Sequence, residues 1–140
     1  PRSTPSNSSA ASDVYKRQRE CYGKAIELLS ESIENAKQAR RLVRYYMQRG
    51  ECYLNLGMYE KALEDFQCAL KVFLPGEYYK TYGKTDYYVE ALKFIGITYA
   101  KMGDIAKAKE TLNEALKLAE EYELVLTADE IKAELEALAG

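Results

Sequence analysis

Residues 57–70 of the chain read GMYEKALEDFQCAL, and the order of large and small apolar residues in this stretch decides the fold. At helical spacing, one side carries Tyr59, Ala62, Leu63, Phe66, Ala69 and Leu70. The other side is polar and carries Glu60, Lys61, Glu64, Asp65 and Gln67. A helix that merely covers a core does not need alanine between its large residues. The alternation therefore predicts helices that interdigitate closely with their neighbours.

The composition limits the classes of protein to which the chain can belong. Its 140 residues include 20 basic and 22 acidic ones, so the chain lacks the basic excess of a nucleic-acid binder. No apolar run approaches the roughly 20 residues that cross a bilayer. Histidine, the commonest general base and metal ligand, is absent, and so is a glycine-rich phosphate loop. We therefore expect a single domain that is not an enzyme, holds no metal or other cofactor, and binds neither nucleic acid nor membrane.

The cysteines indicate the compartment. Cys21, Cys52 and Cys68 are odd in number and show no C-x-x-C spacing, which argues against a disulfide framework or a zinc site. They are read as free thiols in a reducing compartment. Because no apolar signal segment opens the chain, we expect a cytoplasmic protein.

The first eighteen residues, PRSTPSNSSAASDVYKRQ, differ in character from the rest. They are rich in serine and proline at first and show no apolar periodicity, which is typical of a disordered tail. The hexapeptide DVYKRQ also resembles the translated end of a transposase adaptor used in sequencing libraries. On this second interpretation, residues 1–18 are a non-native leader and the native part of a longer protein begins at Arg19.

The opening pattern occurs three times. An upstream copy contains Tyr22, Ala25, Ile26, Leu29, Ser32 and Ile33, and a downstream copy contains Ile105, Ala108, Leu112, Ala115 and Leu116. The steps are 37 residues, from Tyr22 to Tyr59, and 46 residues, from Tyr59 to Ile105. Self-similarity at this scale predicts a solenoid, in which each unit buries its apolar face against the next.

A second helical pattern precedes two of the copies and ends at a glycine. The two stripes are Val43, Tyr46, Gly50 and Tyr53, with a break at Gly57, and Val89, Leu92, Gly96 and Tyr99, with a break at Gly103. Each unit is therefore predicted to be a helix, a short turn and a second helix. Glycine within a helix costs about 1 kcal/mol relative to alanine, so Gly50 and Gly96 are expected where a neighbouring helix comes close.

These residues make the chain resemble the tetratricopeptide repeat family. The central unit matches at Tyr46, Gly50, Tyr53, Gly57, Tyr59, Ala62, Phe66 and Ala69. The next matches at Leu92, Gly96, Tyr99, Gly103, Ala108, Leu112 and Ala115, and a partial unit at Tyr22, Ala25 and Leu29. The resemblance implies an all-α fold of antiparallel helix pairs, stacked as a short right-handed α-solenoid, in which these residues pack the repeats together.

The predicted organisation follows from these units. It comprises a half repeat at 19–38, a repeat at 40–74, an insert at 75–85, a repeat at 86–122 and a terminal helix at 127–138. Asp86 is expected at the start of the second repeat, and Thr127 with Glu130 forms a capping-box pattern for the terminal helix. Five tyrosines at and near the insert are read either as an aromatic lip over a binding groove or, preferably, as packing at helix ends: Tyr78, Tyr79, Tyr82, Tyr87 and Tyr88.

The resemblance also implies where a partner binds. In this family the first helices of successive pairs line a concave groove that holds a peptide or a partner's helix. The corresponding residues are Arg44, Met47, Gln48, Glu51, Leu54 and Asn55, then Glu90, Lys93, Phe94, Ile97, Ala100 and Lys101. The mixture of apolar and charged residues favours an amphipathic peptide over a merely solvated face. Glu51 and Ile97 stand where a clamp for a C-terminal carboxylate has asparagine, which excludes that subtype.

A basic stripe lies upstream, at Lys37, Arg40, Arg41 and Arg44. It is read either as a site for an acidic partner or phosphate or, preferably, as a solvated face. Repeat arrays usually need about three units, so weak self-association through the exposed N-terminal helix is also expected.

Two functions remain open at this point. The first is a non-catalytic scaffold that binds a protein or peptide in the groove. The alternative is a ligand-sensing or regulatory segment of a larger signalling enzyme or transcription regulator.

Overall fold

A computed structural model describes residues 3–73 and 85–139, and this part of the chain contains six α-helices and no strand. They are α1 (Ser3–Asn35), α2 (Ala39–Asn55), α3 (Tyr59–Phe73), α4 (Thr85–Lys101), α5 (Ile105–Glu121) and α6 (Val125–Ala139). Most of the predicted insert lies outside the described residues, with Tyr78, Tyr79 and Tyr82. The predicted all-α fold is confirmed.

The helices pack mainly against their neighbours in the sequence. Helices α2 and α3 form one pair and α4 and α5 the next, while α1 packs on α2, α3 on α4, and α5 on α6. Helix α4 also touches α2 and α6, so these three helices form a row along one side. This arrangement is the expected solenoid, and the row α2–α4–α6 is the side on which a groove is predicted.

Three turns of the same type connect the helices. In each, a backbone N–H donates to a carbonyl five residues earlier: Met58 to Tyr53 (2.9 Å), Asp104 to Tyr99 (2.9 Å) and Leu124 to Ala119 (2.8 Å). The residue before each donor is left-handed, with φ of +77° at Gly57, +89° at Gly103 and +58° at Glu123. This geometry is a helix C-cap in which glycine is favoured and glutamate is unusual.

The third turn corrects the predicted start of the last helix. Helix α6 begins at Val125, and Thr127 lies inside its first turn. The capping-box prediction is wrong because the Thr127 hydroxyl bonds to the side chain of Glu90 on α4 instead. Asp86 does lie in the first turn of α4, as predicted.

Two apolar clusters form the core. One is built around Val43, Met47, Phe66 and Ile95, and the other around Val89, Leu112 and Ile131. The glycines predicted at close approaches explain the packing: a Cβ at Gly50 would lie 2.6 Å from the Phe66 ring, and one at Gly96 would lie 2.6 Å from Cγ of Leu112. Each first helix therefore rests directly on a large residue of its second helix.

Residues 3–18 are part of α1, where the sequence predicts a disordered tail or a non-native leader. No glycine or proline lies between Pro5 and Tyr22, so nothing in this stretch stops the helix. Side chains 10–21 are exposed. Both interpretations of residues 1–18, like the other predicted domain boundaries, stay predictions.

Candidate functional site: the face of helices α2 and α4

The candidate groove is the face of α2 and α4 that carries the predicted binding residues. The exposed members are Arg44, Gln48, Glu51, Asn55 and Lys101. The half-buried members are Leu54, Glu90, Phe94, Ile97 and Ala100. The spacing of three and four residues thus brings most of the predicted set to one accessible face.

Met47 and Lys93 do not belong to the open surface. Each is only 5% exposed, and Met47 lies in the first core cluster with Ala91 and Ile95. Helical spacing predicts which residues share a face, but α2 and α4 approach each other along part of that face. Met47 therefore lies in the core beneath this face, and its side chain is not exposed there.

Lys93 is the centre of a charged network that joins α4 to α6. Its Nζ lies 3.0 Å from Oε2 of Glu90 and 3.0 Å from Oε2 of Glu130, and 4.9 Å from the centre of the Phe94 ring. The Thr127 hydroxyl donates to Oε1 of Glu90 at 3.3 Å. Burial lowers the pKa of Lys93, but the hydrogen bonds that its ammonium group donates to Glu130 and Glu90, together with their charges, outweigh burial, so the pKa lies above its ordinary value.

Glu51 faces this network from α2. Partial burial of the otherwise exposed Glu51 raises the pKa of its carboxyl group, the charge of Glu90 raises this pKa further, and the charge of Lys93 lowers it. Two carboxylates, those of Glu90 and Glu130, therefore pair directly with the ammonium group, and that of Glu51 interacts with its charge. The sequence pattern missed the contribution of Thr127 and Glu130, because it assigned both residues to a helix cap.

The apolar residues of this face pack on the buried residues of the first core cluster. The rings of Phe94 and Phe66 are stacked, with centres 5.2 Å apart and planes 13° apart. Leu54 and Phe94 pack against the first core cluster, and Ile97 is half-buried one turn along. This stacking fixes Phe94 in place, so the face has a rigid apolar strip beside its charged network.

A further ion pair, which the sequence did not predict, joins α2 to α3. Arg49 on α2 donates to both carboxylate oxygens of Asp65 on α3, at 2.7 and 2.6 Å, and to the Ser30 hydroxyl of α1 at 3.0 Å. Its guanidinium also lies 5.8 Å from the ring centres of Tyr46 and Tyr53. Asp65 is only 3% exposed, so its assignment to the polar side of α3 is wrong. The pair connects three helices.

The residues predicted to pack the repeats occupy three environments. The second-helix residues of the two full repeats are buried, namely Ala62, Phe66, Ala69, Ala108, Leu112 and Ala115, and so are Gly50, Leu92 and Gly96. The half-buried ones are Tyr22, Ala25, Leu29, Tyr46, Tyr53, Tyr59 and Tyr99. Gly57 and Gly103 are exposed at the turns. Tyr87 and Tyr88 are half-buried and pack against the first cluster.

Within residues 3–73 and 85–139, no group of three or more cysteine or acidic side chains is placed to hold a metal ion. None of the helices that the structure describes is long and apolar enough to cross a membrane. The three cysteines are free thiols, with Cys21 exposed.

Comparison with known proteins agrees with the geometry. Residues 41–121 match the family model described as Tetratricopeptide repeat. This range begins in α2 and ends with α5, so it contains both helix pairs and more than half of the chain. No curated protein matches the sequence. The resemblance predicted from the repeated pattern is confirmed, and the chain belongs to the tetratricopeptide repeat family.

Proposed function

We propose that this chain is a non-catalytic scaffold of the cytoplasm that binds a peptide or a helix of a partner protein along the face of α2 and α4. The observation that carries the proposal is the composition of that face in a family whose first helices line a binding groove. A rigid apolar strip of Leu54, Phe94 and Ile97 lies beside charged and amide groups on the same two helices. A mixed face of this kind accepts an amphipathic segment.

The charged network sets the orientation of such a segment. Glu51 and Glu90 present carboxylates to the groove, and Lys93 is held beneath them by Glu90 and Glu130. The apolar strip would take the apolar side chains of the partner, while the carboxylates take its polar or basic ones. A partner segment with a strongly acidic centre is disfavoured because it would face three carboxylates.

The experiment is a selection of displayed random peptides on the full chain, followed by affinity measurement with two matched variants. Glu51→Ala with Asn55→Ala removes two exposed groove side chains of α2. Glu110→Ala with Asn113→Ala removes the same two residue types from exposed positions of α5. We expect the groove variant to weaken binding at least tenfold and the α5 variant to leave it unchanged. Equal losses in the two variants would contradict binding in the groove.

The alternative predicted from the sequence, a regulatory segment of a larger protein, would use the same groove. A ligand bound there by such a segment is expected to depend on Glu51 and Asn55 in the same way. The proposal for the site is therefore tested by the same pair of variants.

Self-association through α1 is a separate proposal. Leu28 is 66% exposed on α1, and the half-buried Ala25 and Leu29 correspond to fully buried residues in the other second helices. Burying this surface against a second copy would be weakly favourable. Urea unfolding of the full chain should then shift to higher midpoints as the protein concentration rises. Midpoints independent of concentration would rule it out.

A further inference from the structure

The start of α2 carries an unusual concentration of positive charge. Between Glu34 and Glu51 the chain has no acidic residue and five basic ones: Lys37, Arg40, Arg41, Arg44 and Arg49. This occurs in a protein whose net charge is −2. The local excess is therefore a feature of this segment and does not reflect the overall composition.

Among the residues that the structure describes, Arg49 is the only one of the four arginines with a carboxylate partner. Arg49 is held by Asp65, as described above. Arg40, Arg41 and Arg44 are exposed, and no carboxylate within the described ranges forms an ion pair with them. In this part of the chain, three exposed guanidinium groups thus have no carboxylate that neutralises them.

These arginines line a cleft. Gln38, Arg40, Arg41 and Arg44 form one side of it, and Tyr87 at the start of α4 forms the other. The cleft has a volume of about 240 Å³. It is smaller than the sites of about 300–1,000 Å³ that hold drug-sized ligands, so it suits a single anionic group. Arg44 also belongs to the predicted groove, so the cleft lies at one end of that face.

The backbone at this point favours an anion as well. Gln38 is the N-cap of α2, its side chain accepts no N–H, and the first turn has no acidic residue. Helices α3 and α4 have Glu60 and Asp86 in the first turn, and Asp104 accepts the Lys107 N–H at 3.2 Å to cap α5. The N-terminal end of a helix carries a partial positive charge, which is unfavourable next to positive side chains. A bound anion would neutralise the side chains and the helix end together.

We propose that this cleft binds a phosphoryl dianion, presented by a phosphorylated side chain of a peptide partner. Guanidinium groups bind phosphate oxygens in pairs through charge-assisted hydrogen bonds, and three of them surround one small space. Four basic residues within eight positions, in a chain of net charge −2, do not provide the extended stripe that a nucleic-acid backbone needs. The phosphoryl group is inferred from the cleft alone, and its delivery on a peptide rests on the proposed function.

The first experiment titrates the ¹⁵N-labelled full chain with inorganic phosphate at constant ionic strength, with chloride as the balancing anion. We expect amide shifts confined to the start of α2 and to Tyr87. Arg41→Gln with Arg44→Gln should raise the Kd for phosphate at least tenfold. Lys109→Gln with Lys117→Gln removes the same charge from exposed positions of α5 and should leave the Kd unchanged. Shifts spread over all basic residues, or equal losses in the two variants, would overturn the site.

The second experiment distinguishes a phosphorylated peptide from free phosphate. An array of peptide pairs, each with a serine or phosphoserine near one end, is probed with the full chain and with the Arg41→Gln, Arg44→Gln variant. We expect the phosphorylated members to bind at least tenfold more tightly to the unmodified chain only. If the chain binds inorganic phosphate but does not prefer the phosphorylated peptides, the cleft is a phosphate site and the proposal that a peptide presents the phosphoryl group is wrong. Tight binding that ignores phosphorylation would overturn the phosphopeptide and leave the proposed groove function.

Discussion

The two complete helix pairs share their main packing contacts and differ most beside the buried glycines. Positions 46 residues apart play the same role: Gly50 rests on Phe66 as Gly96 rests on Leu112. In the turns, Lys61 lies 5.7 Å from the centre of the Tyr53 ring, and Lys107 lies 5.5 Å from that of Tyr99. The chain thus repeats a structural rule, a small residue against a large one, with different side chains supplying the large one.

The difference lies beside the glycines. The first pair has Arg49 and Asp65, joined by a nearly buried ion pair, where the second has Ile95 and Thr111. Ile95 lies in the apolar core, whereas Arg49 reaches past Asp65 to Ser30 of α1. The glycine contact is therefore common to both helix pairs. The residue before the glycine differs between them: Arg49 bonds to α1, whereas Ile95 packs in the apolar core.

Breaking the ion pair should have the largest effect. Asp65→Ala leaves Arg49 without its carboxylate in a site that is nearly closed to water, and we expect it to lower the free energy of unfolding by about 2–4 kcal/mol. Transplanting the second pair's residues, Arg49→Ile with Asp65→Thr, should cost less than about 1.5 kcal/mol, because no unpaired charge remains. Urea unfolding followed by circular dichroism measures both. A double variant as unstable as the single one would show that the two pairs are not interchangeable here.

Substituting the buried glycines should have the second-largest effect on stability. Gly50→Ala and Gly96→Ala each place a Cβ 2.6 Å from a buried side chain, so each should destabilise the fold by about 1–3 kcal/mol through overpacking. Gly23→Ala in α1 is the control, since nothing lies within 4 Å of its added Cβ. It should stabilise the fold by up to about 1 kcal/mol through helix propensity. Thermal melts in which all three variants behave alike would refute the close-packing explanation.

The turns offer a smaller test of the same comparison. Gly57→Ala and Gly103→Ala should each cost about 1–2 kcal/mol, because alanine is strained at positive φ. At the third turn, Glu123→Gly should raise the free energy of unfolding by about 0.5–1 kcal/mol by relieving the same strain. Glu114→Gly, at an exposed position in the middle of α5, is the matched control and should be destabilising by about 1 kcal/mol. A loss of stability in Glu123→Gly would mean that its side chain supports the turn.

The smallest effect concerns pH. The pKa of Glu51 is raised in the folded state by burial and then by the charge of Glu90, so the fold favours the protonated acid. The stability that Glu51 contributes is present below its ordinary pKa of 4.5 and is lost as the pH rises through the folded-state pKa. Glu51→Gln should therefore be more stable than the unmodified chain at pH 7, by less than about 1 kcal/mol because solvent screens an exposed group. The urea midpoints of the variant and of the unmodified chain should converge below pH 4.5. A difference between the two midpoints that does not change with pH would show that it does not come from the ionisation of Glu51.

Much of the fold was predictable because apolar spacing and glycine placement are local signals. The order of alanine and large residues predicted α3 and α5, and the stripes that end at Gly57 and Gly103 predicted α2 and α4. The start of α6 was not predictable in this way, since its turn uses Glu123 at positive φ in place of glycine. Thr127 and Glu130 match the common capping-box pattern, so the sequence predicted that α6 begins at Thr127. The helix begins two residues earlier, at Val125.

The candidate site was less predictable, because it depends on contacts between helices. Spacing placed Met47 and Lys93 on the groove face but could not show how closely α2 and α4 approach each other. Asp65 and Glu130 look like ordinary surface acids until the helices that supply their partners are in position. Charge patterning did reveal the basic stripe, yet the cleft requires Tyr87, which lies 43 positions beyond Arg44.

The nearest-neighbour packing of the helices has a consequence for how the chain opens. Since most contacts join consecutive helices, releasing α1 disrupts the interface with α2 and leaves the other pairs in place. The rate of amide hydrogen exchange should therefore vary along the array. It should be fastest in α1 and slowest in α3 and α4, which pack on each other in the middle. Such a protein is expected to melt from its ends inward, so the groove between α2 and α4 would be among the last parts to be lost.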